Sequence, residues 1–275
     1  MTSFNIASIQ NTATRDIPAN IEWLRSRIDE SAENGAELIF TPETCTLIEP
    51  DNSRVAGSTK TEADDPGLAM FRQAAKTHAT PIAVGSMMIK TDDGRDVNRA
   101  YFIDKHGEVI ARYDKLHMFD VQLKNGEFYK ESDALAAGDK AVLVNTQWGK
   151  IGLSICYDLR FATLYRALAQ NGAKILTIPA AFTQTTGQAH WHTLVRARAI
   201  ETGSFVVASN QCGTHVGKRQ SYGHSLIVSP WGDVLADGGA EPGIIYAEID
   251  LDGVEKARQM IPALQHDKQF TLVEF

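Results

Sequence analysis

The run Gly152-Leu153-Ser154-Ile155-Cys156-Tyr157-Asp158-Leu159-Arg160-Phe161 decides how this chain reads. Lys150 to Ile155 has the apolar content and length of a buried strand. Cys156 follows at once, and a helix from Leu164 to Gln170 ends at Asn171-Gly172. A cysteine on such a strand-to-helix elbow is exposed beside free backbone N–H groups, which lower a thiol's pKa and can hold an oxyanion. A free cysteine is also a common small core residue, so the run alone leaves both readings open.

Working outward, strand and helix signals alternate. Strands are expected at Phe4–Ile9, Glu37–Thr41, Pro81–Met88, Ala173–Pro179, Ser204–Ser209, Tyr222–Val228 and Gly243–Ile249. A helix is expected from Pro18 to Glu33, with Ile21, Leu24, Ile28 and Ala32 on one face and Gly35 at its end. Asp65-Pro66 opens a second, and His190 to Thr202 forms another. Ala100–Ile103 and Val109–Tyr113 form a hairpin. Leu116 to Lys140 lacks periodicity, and a loop that long is usually functional. From Val254 only a weak helical signal remains, then an extended end. Alternating strands and helices mean α/β packing, and the hairpins mean mixed sheets. No linker or internal repeat is visible, so residues 1–275 read as one domain.

Composition excludes several classes. The 275 residues are 43% hydrophobic and 22% charged, as in an ordinary globular protein. A net charge of −7 disfavours a nucleic-acid partner. No apolar run approaches the roughly 18 residues of a membrane span. The N-terminus lacks the basic and apolar regions of a signal peptide, which points to a cytoplasmic protein. Three cysteines, Cys45, Cys156 and Cys212, make no disulfide framework and no Cys-x-x-Cys metal pair. His190 and His192, two apart on a helix, face different ways and do not share a metal.

Two further residues share the setting of Cys156. Glu43 follows the strand ending at Thr41-Pro42, and Lys115 follows the strand ending at Tyr113. Reactive groups of α/β proteins gather at the carboxyl ends of strands. A partly buried glutamate can act as a general base, and a lysine can stabilise a developing oxyanion. Taken singly, each reads more readily as a solvated loop residue.

Together, Thr41-Pro42-Glu43, Tyr113-Asp114-Lys115-Leu116-His117 and the Cys156 run resemble the three ordered signature blocks of the nitrilase, or carbon-nitrogen hydrolase, superfamily. The likeness runs from Phe4 to about Gln265. It implies a four-layer α-β-β-α sandwich, a homodimer formed across one helical face, a small-molecule amide substrate and no metal or organic cofactor. It also implies Glu43 as base, Lys115 as stabiliser of the tetrahedral intermediate, Cys156 as nucleophile and the Tyr157 N–H in the oxyanion hole. A second glutamate precedes a Pro-Gly-Asp in many members. Here Glu131 precedes Ala137-Gly138-Asp139, with Glu127 as its rival.

Thr186 to Trp191, Arg196 to Thr202 and Ser221 to Ser225 resemble the Nit branch, which holds ω-amidases and deaminated-glutathione amidases. Gln211 to His215 with Lys218-Arg219 resembles the latter group more. The implied substrate is the α-keto form of glutathione. The alternatives are an ω-amidase acting on α-ketoglutaramate, another amidase or carbamoylase, and a catalytically silent binding protein of the same fold. Arg219 suits a substrate carboxylate through two-point recognition; His215 is ambiguous, and Phe182 and Thr183 suit a pocket wall. Cys45 and Cys212 read as non-catalytic, and Asp158 with Arg160 as a structural pair that holds the elbow.

Overall fold

The computed structural model describes residues 3–49, 52–123 and 126–275. Residues 124–125 of the long polar stretch, and residues 1–2 and 50–51, lie outside the described residues. Two six-stranded sheets carry the fold. The first runs, side by side, Gly243–Asp250, Ser3–Gln10, Leu38–Phe40, Ile82–Lys90, Asp96–Ile103 and Val109–Asp114. The second runs Val142–Thr146, Gly149–Leu153, Ala173–Thr177, Phe205–Ala208, Leu226–Val228 and Val234–Asp237. In these orders each sheet has one antiparallel pairing, then two parallel, then two antiparallel. The topology is therefore repeated, although the sequence shows no repeat.

Parallel neighbours need crossover connections. Helices Ile17–Glu33 and Pro66–His78 supply them in the first sheet, Ala162–Gln170 and Gln184–Thr202 in the second. The Asp65 carboxylate accepts from Leu68 N at 2.9 Å to start the second of these, as the Asp65-Pro66 pair predicts.

Strand parity sets the layers. Phe4, Ile6, Leu38, Phe40, Ala83, Ala100 and Phe102 point toward the second sheet and share a core with Ile151, Leu153, Ile175 and Val207. Their sequence neighbours Ala7, Ile9, Ile39, Ile82, Val84, Tyr101 and Ile103 face the other way, against Leu24, Ile28, Leu68 and Phe71 of the helices. Trp191, Val195 and Ala199 cover the far side of the second sheet. The layers are helices, sheet, sheet, helices, as the family resemblance implies. Full burial of each Leu, Ile or Phe contributes roughly 1.5–3 kcal/mol.

Three expectations change. The helix placed at His190–Thr202 begins at Gln184, capped by the Thr183 hydroxyl. The expected strand Tyr222–Val228 is broken, because Gly223 and His224 take φ of 75° and 53° between Gln220–Tyr222 and Leu226–Val228. The polar stretch 116–140 contains a short hairpin, Asp120–Gln122 with Phe128–Lys130, and a tight turn Glu131–Asp133. Strands of three residues are too short to show alternation. Among the described residues no helix is long and apolar enough to cross a membrane.

The carboxyl ends of the inner strands meet at a bulge in Ile82–Lys90. There Ser86 N donates to Pro42 O at 3.2 Å and Ser86 Oγ accepts from Thr44 N at 2.9 Å, pinning Glu43 between them. A Cβ at Gly85 would lie 2.0 Å from Thr41 O and 2.5 Å from Pro179 Cβ. Gly85→Ala should therefore cost roughly 1–3 kcal/mol, as overpacking does, and displace Glu43. Urea denaturation and crystallographic comparison check this; an unchanged midpoint would contradict it.

Candidate active site

The elbow is built around a strained cysteine. Cys156 has φ of 48°, a left-handed conformation that costs a non-glycine residue about 1–2 kcal/mol. Three contacts hold it. Cys156 N donates to Pro179 O at 2.8 Å. Ile155 N donates to the buried Asp158 carboxylate at 2.8 Å, and Ser154 Oγ donates to Thr177 O at 2.6 Å. Cys156 opens a tight turn that runs to Arg160, whose first N–H groups lack acceptors within the turn.

Asp158 does hold the elbow, but Arg160 is not its partner. Asp158 accepts from Tyr113 Oη at 2.6 Å and from His117 N at 3.1 Å, with the His117 ring 2.6 Å away. Tyr113 and His117 flank Lys115, so one carboxylate locks the elbow to the lysine segment. Arg160 lies instead over the rings of Tyr157 and Phe182, at 5.9 and 5.5 Å. Aromatic faces attract the guanidinium.

Lys115, Glu43 and Glu131 form one buried charge cluster. Lys115 Nζ, 2% exposed, donates to Glu43 Oε1 at 3.0 Å and to Glu131 at 2.9 and 2.7 Å. Glu43 Oε2 accepts from Ala181 N at 2.8 Å, and Glu131 Oε2 from Phe119 N at 2.7 Å. Asn98 Nδ2 donates to Glu43 at 2.9 Å and reaches Glu131 at 3.4 Å. Gly138 N donates to Lys115 O at 2.8 Å, and a Cβ there would sit 2.3 Å from Asp114 O. Thus Ala137-Gly138-Asp139 braces the lysine backbone without the proline. Glu127 is exposed and accepts from Tyr129 Oη at 3.2 Å. Glu131, not Glu127, is the glutamate on Lys115.

The cluster sets the protonation states. Burial pushes the Glu43 carboxyl up, but Lys115, the Cys156 thiol and the Ala181 N–H outweigh it and hold it below the usual carboxylate range. Burial works against the Lys115 cation, and Glu131 and Glu43 reverse this and raise it. Burial and the Glu43 charge push the Cys156 thiol well up. These shifts favour a protonated Cys156 beside an ionised Glu43. The other two thiols lie elsewhere: Cys45 is fully buried and pushed up to about 12 by that burial, and Cys212 packs against Thr12.

A cleft of about 480 Å³ opens onto these groups. Glu43, Lys115, Glu131, Cys156, Tyr157, Phe182, Thr183 and Arg219 all line it. Phe119 packs edge-on to Tyr157, with centroids 5.2 Å apart, and lies 5.1 Å from the Tyr129 ring, so one wall is aromatic. Arg219 donates to Ala181 O at 2.9 Å and sits over the Tyr129 ring at 5.6 Å. Its Nε and Asn98 Oδ1 are buried without a hydrogen-bond partner. Sequence reasoning passed over Asn98, Phe119 and Tyr129. Asn98 had a signal: it shares parity with the inward-facing Ala100 and Phe102. The two aromatic residues lay in the aperiodic stretch and had none.

His215 does not line the cleft. It is buried, with one ring nitrogen 2.8 Å from Ala13 O and the other 2.8 Å from Ser221 Oγ. Burial lowers its pKa from 6.5 to about 4. The unfolded ring binds a proton in that window and the native ring does not. The stabilisation is complete above pH 6.5 and is lost as pH falls toward about 4. His215→Gln should flatten the decline of unfolding free energy across that interval. An unaltered pH slope would show that another group causes it.

Residues 5–259 match the carbon-nitrogen hydrolase family model. The chain is 38% identical over 271 residues to a protein named deaminated glutathione amidase from Synechocystis, covering 97% of this chain and 98% of that one. The crystal structure of the Caenorhabditis elegans NitFhit protein superposes with a TM-score of 0.89 at 36% identity, covering 97% of this chain and 65% of that one. An amidase from Nesterenkonia, with the acetamide moiety of fluoroacetamide on its active-site cysteine, superposes with a TM-score of 0.79 at 25% identity, over 94% of each chain. The fold and the comparisons together define a hydrolase of non-peptide carbon–nitrogen bonds. The chain belongs to the carbon-nitrogen hydrolase family.

Proposed function

We propose that the protein is an amidase that works through a thioester on Cys156 and takes deaminated glutathione as substrate. The observation that carries this reading is that Cys156 lines one cleft with Glu43, whose carboxylate shares Lys115 with Glu131. Glu43 removes the thiol proton as sulfur attacks the amide carbonyl. The Lys115 ammonium and the Tyr157 N–H take up the oxyanion charge. Glu43 returns the proton to the departing amine, and the C–N bond breaks. Water then loses a proton to Glu43 and attacks the thioester, releasing the acid and restoring the thiol. Glu131 keeps Lys115 charged and placed throughout. No step calls for a metal or an organic cofactor.

The proposed substrate is an acidic amide that gives 2-oxoglutarate and cysteinylglycine. Two features support it. The name of the Synechocystis relative points the same way. The cleft also carries Lys130, Lys218 and Arg219 near its aromatic wall, and the unpaired Arg219 Nε is a donor suited to a carboxylate. We also read the protein as a homodimer, on the exposed apolar side chains of Ile200, Trp231, Met260 and Ile261. The quaternary reading does not enter the chemistry.

Cys156→Ala should abolish turnover while keeping the circular-dichroism spectrum and melting temperature. Mass spectrometry of the quenched wild-type enzyme should show the acyl group on Cys156. Residual turnover above about one part in a thousand would remove Cys156 as nucleophile. On substrate, kcat/KM for deaminated glutathione should exceed that for α-ketoglutaramate by at least about tenfold. Arg219→Met should raise KM for deaminated glutathione roughly tenfold, the loss of one charge-assisted contact, with little change in kcat. A preference for α-ketoglutaramate would favour an ω-amidase.

A further inference from the structure

Away from the cleft, three elements bring His192, His224 and Asp237 together. His192 stands on the helix Gln184–Thr202, His224 in the break before Leu226–Val228, and Asp237 at the end of the edge strand Val234–Asp237. His192 Nε2 is 3.1 Å from Asp237 Oδ2, and His224 Nδ1 is 2.9 Å from Asp237 Oδ1. All three ligand atoms lie within 4.8 Å of one another. The sequence pairing of His190 with His192 found no such site, because the partners come from other elements.

We infer that His192, His224 and Asp237 form a binding site for a divalent transition-metal ion of the zinc type. Two imidazoles and one carboxylate are a donor set for such ions. Ligand atoms about 2.0–2.2 Å from a tetrahedral ion stand roughly 3.3–3.5 Å apart. Measured to the single carboxylate oxygen Oδ2 of Asp237, His192 Nε2 stands at 3.1 Å and His224 Nδ1 at 3.2 Å, close enough to this for small side-chain rotations to complete the site. On binding, the ion takes the place of the protons between the rings and the carboxylate. Each proton leaves to solvent, or the ring adopts its other tautomer.

The site is built before any ion arrives. His224 has φ of 53°, a left-handed conformation in a residue other than glycine. Its N donates to Gly239 O at 2.6 Å, its O accepts from Trp191 Nε1 at 2.7 Å, and its ring stacks on Tyr222 with centroids 4.6 Å apart. Asp237 also accepts from Gly239 N at 2.9 Å. Two of the three ligands are therefore fixed, and preorganisation lowers the ordering cost of binding.

The bound ion would act as a clamp. It joins the helix that Thr183 and Thr186 begin at the cleft wall to the segment that follows Gln220–Tyr222. With three protein ligands, the remaining position stays open to solvent.

Titration calorimetry with Zn2+ tests the site, using Cys156→Ala protein so that the active-site thiol cannot bind the ion. One ion per chain is expected, with a rise in melting temperature at saturating Zn2+. Adding His192→Ala should weaken binding at least tenfold while the unliganded melting temperature stays constant, since His192 is partly exposed on its helix. Asp237→Asn should act in the same direction. With Co2+, a visible spectrum free of thiolate charge transfer is expected. No saturable binding, or equal binding by the His192→Ala protein, overturns the proposal.

Discussion

One buried cation holds the site together. Lys115 is 2% exposed and lies between two carboxylates, and each of the three would be costly to bury alone. Its backbone is gripped on one side by Gly138 and on the other by the residues that bind Asp158. Asp158 in turn fixes the strained Cys156 elbow. Removing the cation would leave Glu43 and Glu131 facing each other, both linked through the same Asn98 amide. The charge states of Cys156 and Glu43 thus follow from where this lysine sits.

The lysine also explains why the cleft lies where it does. Glu43 and Lys115 come from the first sheet and Cys156 from the second. Neither sheet carries the whole set. The glycine at position 85 allows the two to approach closely enough that Ala181 N reaches Glu43. Packing between the sheets therefore sets the distances among Glu43, Lys115 and Cys156 directly. The dense apolar interior from Phe4 to Val207 is what makes those distances reproducible.

Much of this was legible in the sequence, and the reasons are physical. Alternating apolar residues gave the inner strands, and Asp65-Pro66 gave a helix start. Glu43, Lys115 and Cys156 each immediately follow a strand signal, but it took the resemblance of three ordered blocks to single them out together. Glu131 needed the Gly138-Asp139 landmark, since its own turn has no periodicity. His215 looked like a binding residue because a histidine in a glycine-bounded loop has no visible partners; Ala13 and Ser221 use both ring nitrogens. The duplicated topology was hidden because the two sheets share strand order and not side chains. The His192, His224 and Asp237 grouping was hidden because proximity across three elements leaves no spacing to read.

The duplication has a geometric corollary. Val142–Thr146 and Gly149–Leu153 are joined by a tight turn, whereas their counterparts in the other sheet, Gly243–Asp250 and Ser3–Gln10, are the last and first strands of the chain. Asp250 sits opposite Ser3. The fold is in effect a ring opened at one of two equivalent hairpins. A short linker from Asp250 to Ser3 would turn that pairing into a hairpin like the one at Thr146 and Gly149, and opening the latter would leave the same sheets with a different strand order along the chain.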